Sequence, residues 1–227
     1  MTFQIVALDG PTGVGKSTLA RKLAERLSFL YVDTGAMFRC LGLVWQEQGL
    51  PEDEQVLERI GKETHLKLEP EHFWCNGTEV TEQIRTEAAS ALASRISQFP
   101  PIRRAMKEQQ RRIVFEARDQ GLPGAVLEGR DIGTVIFPEA DCKFFVEADP
   151  QIRAQRRTEQ LQAKGEQVRY EEVLQALQER DERDRNREVA PLLPAPDSIL
   201  VDTSELSVED ALTFMQARLA NLSQSSS

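Results

Sequence analysis

Gly10-Pro11-Thr12-Gly13-Val14-Gly15-Lys16-Ser17 matches G-x-x-x-x-G-K-[ST] at every fixed position. An apolar run, Ile5-Val6-Ala7-Leu8, precedes it, and a helical pattern, Leu19-Ala20-Arg21-Lys22-Leu23-Ala24, follows. Strand, glycine-rich loop and helix are the context that this phosphate-binding loop requires. Glycines let backbone N–H groups turn inward around phosphate oxygens, and the helix N-terminus adds positive potential. In that arrangement Lys16 reaches the β- and γ-phosphates and the Ser17 hydroxyl coordinates Mg²⁺, with the cradle running from Gly10 to Thr18. The expected ligand is a nucleoside triphosphate.

Composition bounds the rest. A chain of 227 residues buries one good core and has room for a small insertion. Apolar residues at 40% and charged residues at 29% fit a globular protein. The net charge of −9 repels nucleic acid and anionic lipid, so anion binding must come from local arginine clusters. Cys40, Cys75 and Cys142 are odd in number and lack metal or redox spacing, which predicts free thiols in a reducing compartment. The chain has no 18-residue apolar run, and Met1-Thr2-Phe3-Gln4 leads straight into the first strand rather than a signal peptide. The expectation is a cytoplasmic protein with no membrane span. The polar tail Ser223 to Ser227 is expected to fray.

Strands and helices alternate along the chain. Strands are predicted at Phe3–Leu8, Leu30–Val32, Ala125–Leu127, Lys143–Val146 and Ser198–Val201. Helices are predicted at Ser17–Leu27, Ala36–Gln48, Asp53–Glu63, Thr86–Ser97, Ile102–Gln120, Pro150–Lys164, Tyr170–Arg187 and Val208–Leu222, with Pro100-Pro101 separating two of them and Gly165 breaking two others. Leu66–Leu68, Phe73–Cys75 and Glu79-Val80, with Asn76-Gly77 between, read as small antiparallel strands that interrupt the rhythm. The fold class is α/β, a parallel sheet flanked by helices and carrying a small antiparallel-sheet insertion. Ligands bind at the carboxyl ends of such strands, where Gly10–Ser17, Asp33–Gly35 and Glu128–Asp131 are expected to meet.

No nucleophile system stands out. His65 and His72 both fall in the insertion and read as structural. Arginine is abundant instead: Arg39 after Asp33-Thr34-Gly35, Arg103 and Arg104 opening a helix, Arg130 after a buried strand, and Arg180, Arg183, Arg185 and Arg187 among acids. An alternating charge run also suits a solvated helix face, and for Arg180–Arg187 both readings stand. Phosphoryl transfer needs positioning and charge neutralisation by Lys, Arg and Mg²⁺ rather than a reactive side chain. Many arginines with no general base favour an acceptor that is itself a phosphate, held by bidentate guanidinium groups.

Five runs occur in order: Gly10–Ser17, Asp33-Thr34-Gly35-Ala36-Met37-Phe38-Arg39, Ile84-Arg85-Thr86, Gly129-Arg130-Asp131-Ile132-Gly133-Thr134-Val135-Ile136-Phe137-Pro138, and Glu179-Arg180-Asp181-Glu182-Arg183-Asp184-Arg185-Asn186-Arg187. Together they resemble the bacterial cytidylate kinase family over nearly the whole chain, to about Leu222. That resemblance implies transfer of the γ-phosphoryl group of ATP to CMP or dCMP, with Mg²⁺, by a P-loop NTPase-type core, a monophosphate-binding insertion and a helical lid. The implied segments are 1–35, 85–150 and 190–227 for the core, 36–84 for the insertion and 151–189 for the lid with its Arg-rich helix. It implies Thr34, Arg39, Arg130 and Arg187 around the acceptor phosphate, Arg180 and Asp184 on the pentose, and Ser94, Arg103 and Asp131 on cytosine. Lys16, Arg130 and Arg187 become the catalytic groups, and among Arg153, Arg156 and Arg157 the last is assigned to ATP. Thr34 stands where Ser is common, Phe38 where Tyr is common and Glu128 where Asp is common, which leaves the role of Glu128 open. A monomer acting on small molecules is expected.

Two other classes share features of this chain. A nucleotide switch shares the P-loop, but the guanine motif Asn-Lys-x-Asp is absent. A nucleic-acid binder could use Arg103–Arg112 and Arg180–Arg187, against which stand the negative charge and interleaved acids. Kinases of uridylate, thymidylate or dephospho-coenzyme A are the neighbouring enzyme readings.

Overall fold

The computed structural model describes residues 3–69, 72–163 and 165–225. Lys164, at the end of one predicted helix, and residues 226–227 of the predicted frayed tail lie outside them. Residue contacts divide the chain into two compact units, one of residues 1–31 and 121–227 and one of residues 32–120.

The first unit is built on a parallel sheet. β1 (Gln4–Asp9) lies between β6 (Gly124–Gly129) and β7 (Cys142–Glu147), and β8 (Ile199–Asp202) pairs with β7. With β2 (Leu30–Asp33) the five-strand order is β2-β6-β1-β7-β8. Val6, Ala7 and Leu8 are fully buried, as a central strand covered on both faces requires. Helix α1 (Lys16–Leu27) puts Leu19, Ala20, Leu23 and Ala24 into the same core as Val126, Phe144, Val201 and Leu212. Leu212 belongs to α8 (Val208–Ser225), which therefore includes part of the tail expected to fray. Register aligns Asp9 with Gly129 and Phe145, and Glu147 with Asp202, so the carboxyl ends of four strands share one edge. Helices α6 (Pro150–Ala163) and α7 (Tyr170–Asn186) share a small core of Ala154, Leu161, Val173 and Leu177.

The second unit holds α2 (Thr34–Glu47), α3 (Glu54–Glu63), the antiparallel sheet β3 (Leu66–Leu68), β4 (Phe73–Cys75) and β5 (Thr78–Glu79), then α4 (Glu87–Ile96) and α5 (Pro100–Asp119). Asn76 and Gly77, at φ of 50° and 81°, take the left-handed conformations that a two-residue hairpin turn needs. Pro100 and Pro101 do not separate two helices but open α5, where a missing N–H costs nothing and the fixed φ is helical. Gly42 lets α2 approach α4: a Cβ there would lie 2.8 Å from the Leu92 Cβ. Gly61 does the same for α3 against Ala105 of α5. The three cysteines are free, as expected, and all three are buried. No described helix is long and apolar enough to cross a membrane.

Candidate active site

The P-loop is organised through its carbonyls. The Pro11 carbonyl accepts from Lys16 Nζ, that of Thr12 from Arg153 Nη1 at 3.0 Å, and that of Val14 from Thr203 Oγ1 at 3.0 Å. A trans peptide points its N–H opposite to its C=O, so holding the Thr12 and Val14 carbonyls from outside turns the Gly13 and Gly15 N–H groups to the other side. Gly13 and Gly15 sit at φ of 79° and 87°, which glycine adopts without strain. Gly10 has no alternative, since a Cβ there would lie 2.0 Å from the Val146 carbonyl oxygen.

Lys16 is 5% exposed. Burial and then Arg130 push its ammonium well below the usual lysine range, while Glu128 and Asp9 oppose them. A buried ammonium with two guanidinium groups nearby, Arg130 and Arg180, marks a candidate anion site. Ser17 Oγ donates to Glu128 Oε2 at 2.9 Å, and the Tyr31 hydroxyl donates to Glu128 Oε1. The Ser17 lone pairs are thereby left for another partner. Among the described residues no cluster of three or more His, Cys, Asp or Glu could hold a metal alone. A hydroxyl beside a carboxylate suits Mg²⁺, which takes few protein ligands and keeps phosphates and waters.

Around β6 and α7 the arginine cluster assembles. Arg130 Nε donates to Asp184 Oδ2 at 3.0 Å, and Arg187 Nη2 lies 4.0 Å from Asp131 Oδ1. Burial alone would raise Asp184, but Arg130, Arg180 and Arg187 together hold it below the usual carboxylate range. The solvated-face reading of Arg180–Arg187 holds for exposed Arg183 and Arg185 but fails for Asp181 and Asp184. Val173, Leu177, Asp181 and Asp184 are all buried on one stripe, so the apolar seam of α7 continues as two carboxylates. Asp181 meets Arg153, 2.7 Å between Oδ2 and Nη2, and that guanidinium also donates to the Ala148 carbonyl. Arg153 is thus a fully buried tie. Arg156 donates to the Thr203 and Ser204 carbonyls, and half-buried Arg157 donates to Gln160. An open cleft of ≈ 640 Å³ adjoins the loop, lined by Pro11, Ala148, Ile152, Arg153, Asp202 and Ser204 among others.

In the second unit, Asp33 caps α2 through the Ala36 N–H and accepts from Arg39 Nη2 at 3.1 Å. Thr34 is buried at the first turn of that helix, and the Arg39 Nε is buried without a hydrogen-bond partner among the described residues. Arg103 is buried, donates to the Ser97 carbonyl at 3.2 Å and stacks 5.6 Å from the Phe38 ring. Ser94 lies on α4, half-buried, its carbonyl accepting from Ser97. His72 pairs with Glu79 on the exposed hairpin and takes no part.

The cytidylate kinase family model matches residues 6–220, nearly the whole described chain. This chain belongs to the cytidylate kinase family. By that membership it is an ATP-dependent phosphotransferase. A cytidylate kinase from Carboxydothermus hydrogenoformans is 43% identical, with 91% of this chain and 93% of the relative covered. One from Geobacter sulfurreducens is 41% identical over 94% and 91%. A bifunctional pantoate ligase/cytidylate kinase from a Synechococcus is 42% identical over 95% of this chain, which spans 41% of that longer protein. An uncharacterized protein from Eubacterium ventriosum shares the fold alone, at a TM-score of 0.52 and 12% identity over 96% of this chain and 98% of its own.

Within the family two departures find local explanations. Phe38 presents its ring face to Arg103, a contact that needs no hydroxyl. The longer Glu128 is clamped by Ser17 and Tyr31. Sequence reasoning missed Tyr31, Thr203 and the structural use of Arg153. The partners of the latter two lie on strands and loops far apart in the chain.

Proposed function

We propose that this chain transfers the γ-phosphoryl group of ATP to CMP or dCMP, giving ADP and CDP or dCDP. The observation that carries this is a buried Lys16 in a carbonyl-anchored P-loop, in the same unit as Arg130, Asp184 and Arg187. The P-loop N–H groups and Lys16 hold the triphosphate, and its adenosine end takes the cleft beside Pro11 and Ser204, whose volume suits a nucleoside. The Ser17 hydroxyl, with the Glu128 carboxylate beside it, would hold Mg²⁺, which would supply neutralisation of phosphate charge.

The acceptor phosphate needs no strong base, because its oxygen is already a nucleophile. Arg130 and Arg187 neutralise charge on the equatorial oxygens, and Arg130 trades Asp184 for phosphate when substrate arrives. Thr34 and Arg39 complete the acceptor-phosphate set; the idle Arg39 Nε is the donor that a phosphate would use. Arg180 and Asp184 serve the pentose. Asp131 accepts from the cytosine amine, while Arg103 and Ser94 serve the ring acceptors. The segment 151–189 acts as the lid, Arg157 reaching the ATP phosphates. The chain acts as a cytoplasmic monomer on small molecules, without nucleic acid.

The test is ADP release in a coupled assay across monophosphates. CMP and dCMP are expected to exceed UMP, dTMP and AMP by at least about tenfold in kcat/KM, the scale of one mispaired polar group. Equal rates across bases, or ATP hydrolysis independent of any acceptor, would remove the reading.

A further inference from the structure

Asp9 ends β1, immediately before the P-loop, and is 5% exposed. Its carboxylate oxygens accept from two consecutive backbone N–H groups, Ile132 at 2.8 Å and Gly133 at 2.7 Å. Those groups open the short wide turn Ile132–Ile136, whose first N–H groups have no partner inside the turn. Asp9 therefore caps, from a neighbouring strand, the turn that begins directly after Arg130 and Asp131. The contact is close: a Cβ on Gly133 would lie 3.5 Å from Asp9 Oδ2 and 3.1 Å from the Lys143 Cδ. No motif assigns Asp9 a role, and its hydrogen bonds among the described residues go to Ile132 and Gly133 rather than to the P-loop.

We propose that Asp9 is a positioning residue for phosphoryl transfer, its paired oxygens fixing where Arg130 and Asp131 leave β6. The proposal rests on the phosphotransferase reading and adds to it a residue that touches neither substrate. The capping depends on charge. An ionised carboxylate accepts both N–H groups, whereas a protonated one turns one oxygen into a donor facing an N–H. Burial, the two N–H groups acting against it, and then the like charge of Asp131 leave Asp9 at about 6, with Lys16 pulling down. The other charged groups nearby are already committed: Lys143 to Asp197 and the Pro138 carbonyl, Arg130 to Asp184, and Glu128 to Ser17 and Tyr31.

Two measurements test this. In the ligand-free wild-type chain, the Ile132 and Gly133 amide resonances are expected to titrate together, with a midpoint near pH 6. Asp9→Asn keeps the shape but sets an amide N–H against a backbone N–H. It is expected to lower kcat/KM for CMP by roughly 10²-fold, the cost of a small misplacement of catalytic groups. It should leave the affinity for a fluorescent ATP analogue within about threefold, since only groups acting at the acceptor move. The acid limb near pH 6 in the wild-type rate should be absent from the variant. Amides that stay fixed between about pH 5 and 7.5, or a folded Asp9→Asn chain with wild-type kcat/KM, would overturn the proposal. If the variant does not fold, the wild-type titration still decides. A wild-type chain that phosphorylates no monophosphate refutes the kinase reading instead, and the amide titration remains interpretable.

Discussion

Single side chains here act by holding backbone in place as much as by touching ligand. Lys16 is the direct case: burial and then Arg130 disfavour its charged form, and the phosphates of a bound triphosphate would favour it. Lys16→Ala is expected to cut kcat by about 10²-fold or more, as loss of a preorganised charge donor does; near-normal turnover would take the P-loop out of the mechanism. Thr203 is the indirect case. Its hydroxyl, beyond β8, donates to the Val14 and Glu147 carbonyls, so Thr203→Val keeps shape and removes the donor they share. The expected stability loss is about 1 kcal/mol, with ATP affinity falling alongside, read by calorimetry. On the proposed reading, base choice falls to Asp131. A carboxylate accepts from the cytosine amine and repels the uracil carbonyl, so Asp131→Ala should lose more kcat/KM for CMP than for UMP. Equal losses for both substrates would make Asp131 structural.

At the scale of elements, two close approaches and one tie set what can move. In α2, Gly42→Ala raises helix propensity yet drives a Cβ to 2.8 Å from Leu92 and 3.1 Å from the Ala93 N–H nitrogen of α4. Overpacking outweighs propensity here, and a loss of about 1–3 kcal/mol is expected in denaturant titration. A stabilised variant would show that α2 and α4 have room to part. In α6, Arg153 is anchored at three points and Arg156 at two carbonyls, so the motion of the proposed lid is expected to begin after them. Adding CMP with a non-hydrolysable ATP analogue should slow hydrogen exchange at residues 165–169, around the φ of 85° at Gly165. Exchange at residues 151–156 should already be slow without ligand. A uniform change across both segments would mean that the whole of α6 moves.

For the whole molecule, stability and activity respond oppositely to mild acid. Asp9 titrates near 6 when folded against an ordinary value of 3.8, so the folded chain takes up a proton that the unfolded chain does not. Its contribution to stability therefore rises as pH falls through about 6 and levels off below the ordinary value. Asp184 is held low, so its contribution is present above the ordinary range and is lost only at more acid pH. Between about pH 7 and 5 the Asp9 effect prevails, so wild type should gain melting temperature relative to Asp9→Asn while its turnover falls. A melting-temperature difference that stays constant over that window would show that Asp9 is not the titrating group.

Local chemistry alone determined a good deal of this protein. The G-x-x-x-x-G-K-S run between a strand and a helix specified the phosphate cradle, because glycine freedom and helix polarity are local properties. Asn76-Gly77 specified the hairpin for the same reason. The spacing of Val173, Leu177, Asp181 and Asp184 is helical, but the run of charge left both readings open until the burial of the two acids settled it. Tertiary structure decided the rest. Thr203 with Val14, Arg153 with Thr12 and Asp9 with Gly133 are pairs 124 to 189 residues apart. Each forms only because the parallel register brings the carboxyl ends of β1, β6, β7 and β8 to one edge. Side-chain type and local spacing carry no record of which strands become neighbours, so the partners of these carbonyls and N–H groups emerge only when the sheet closes its order.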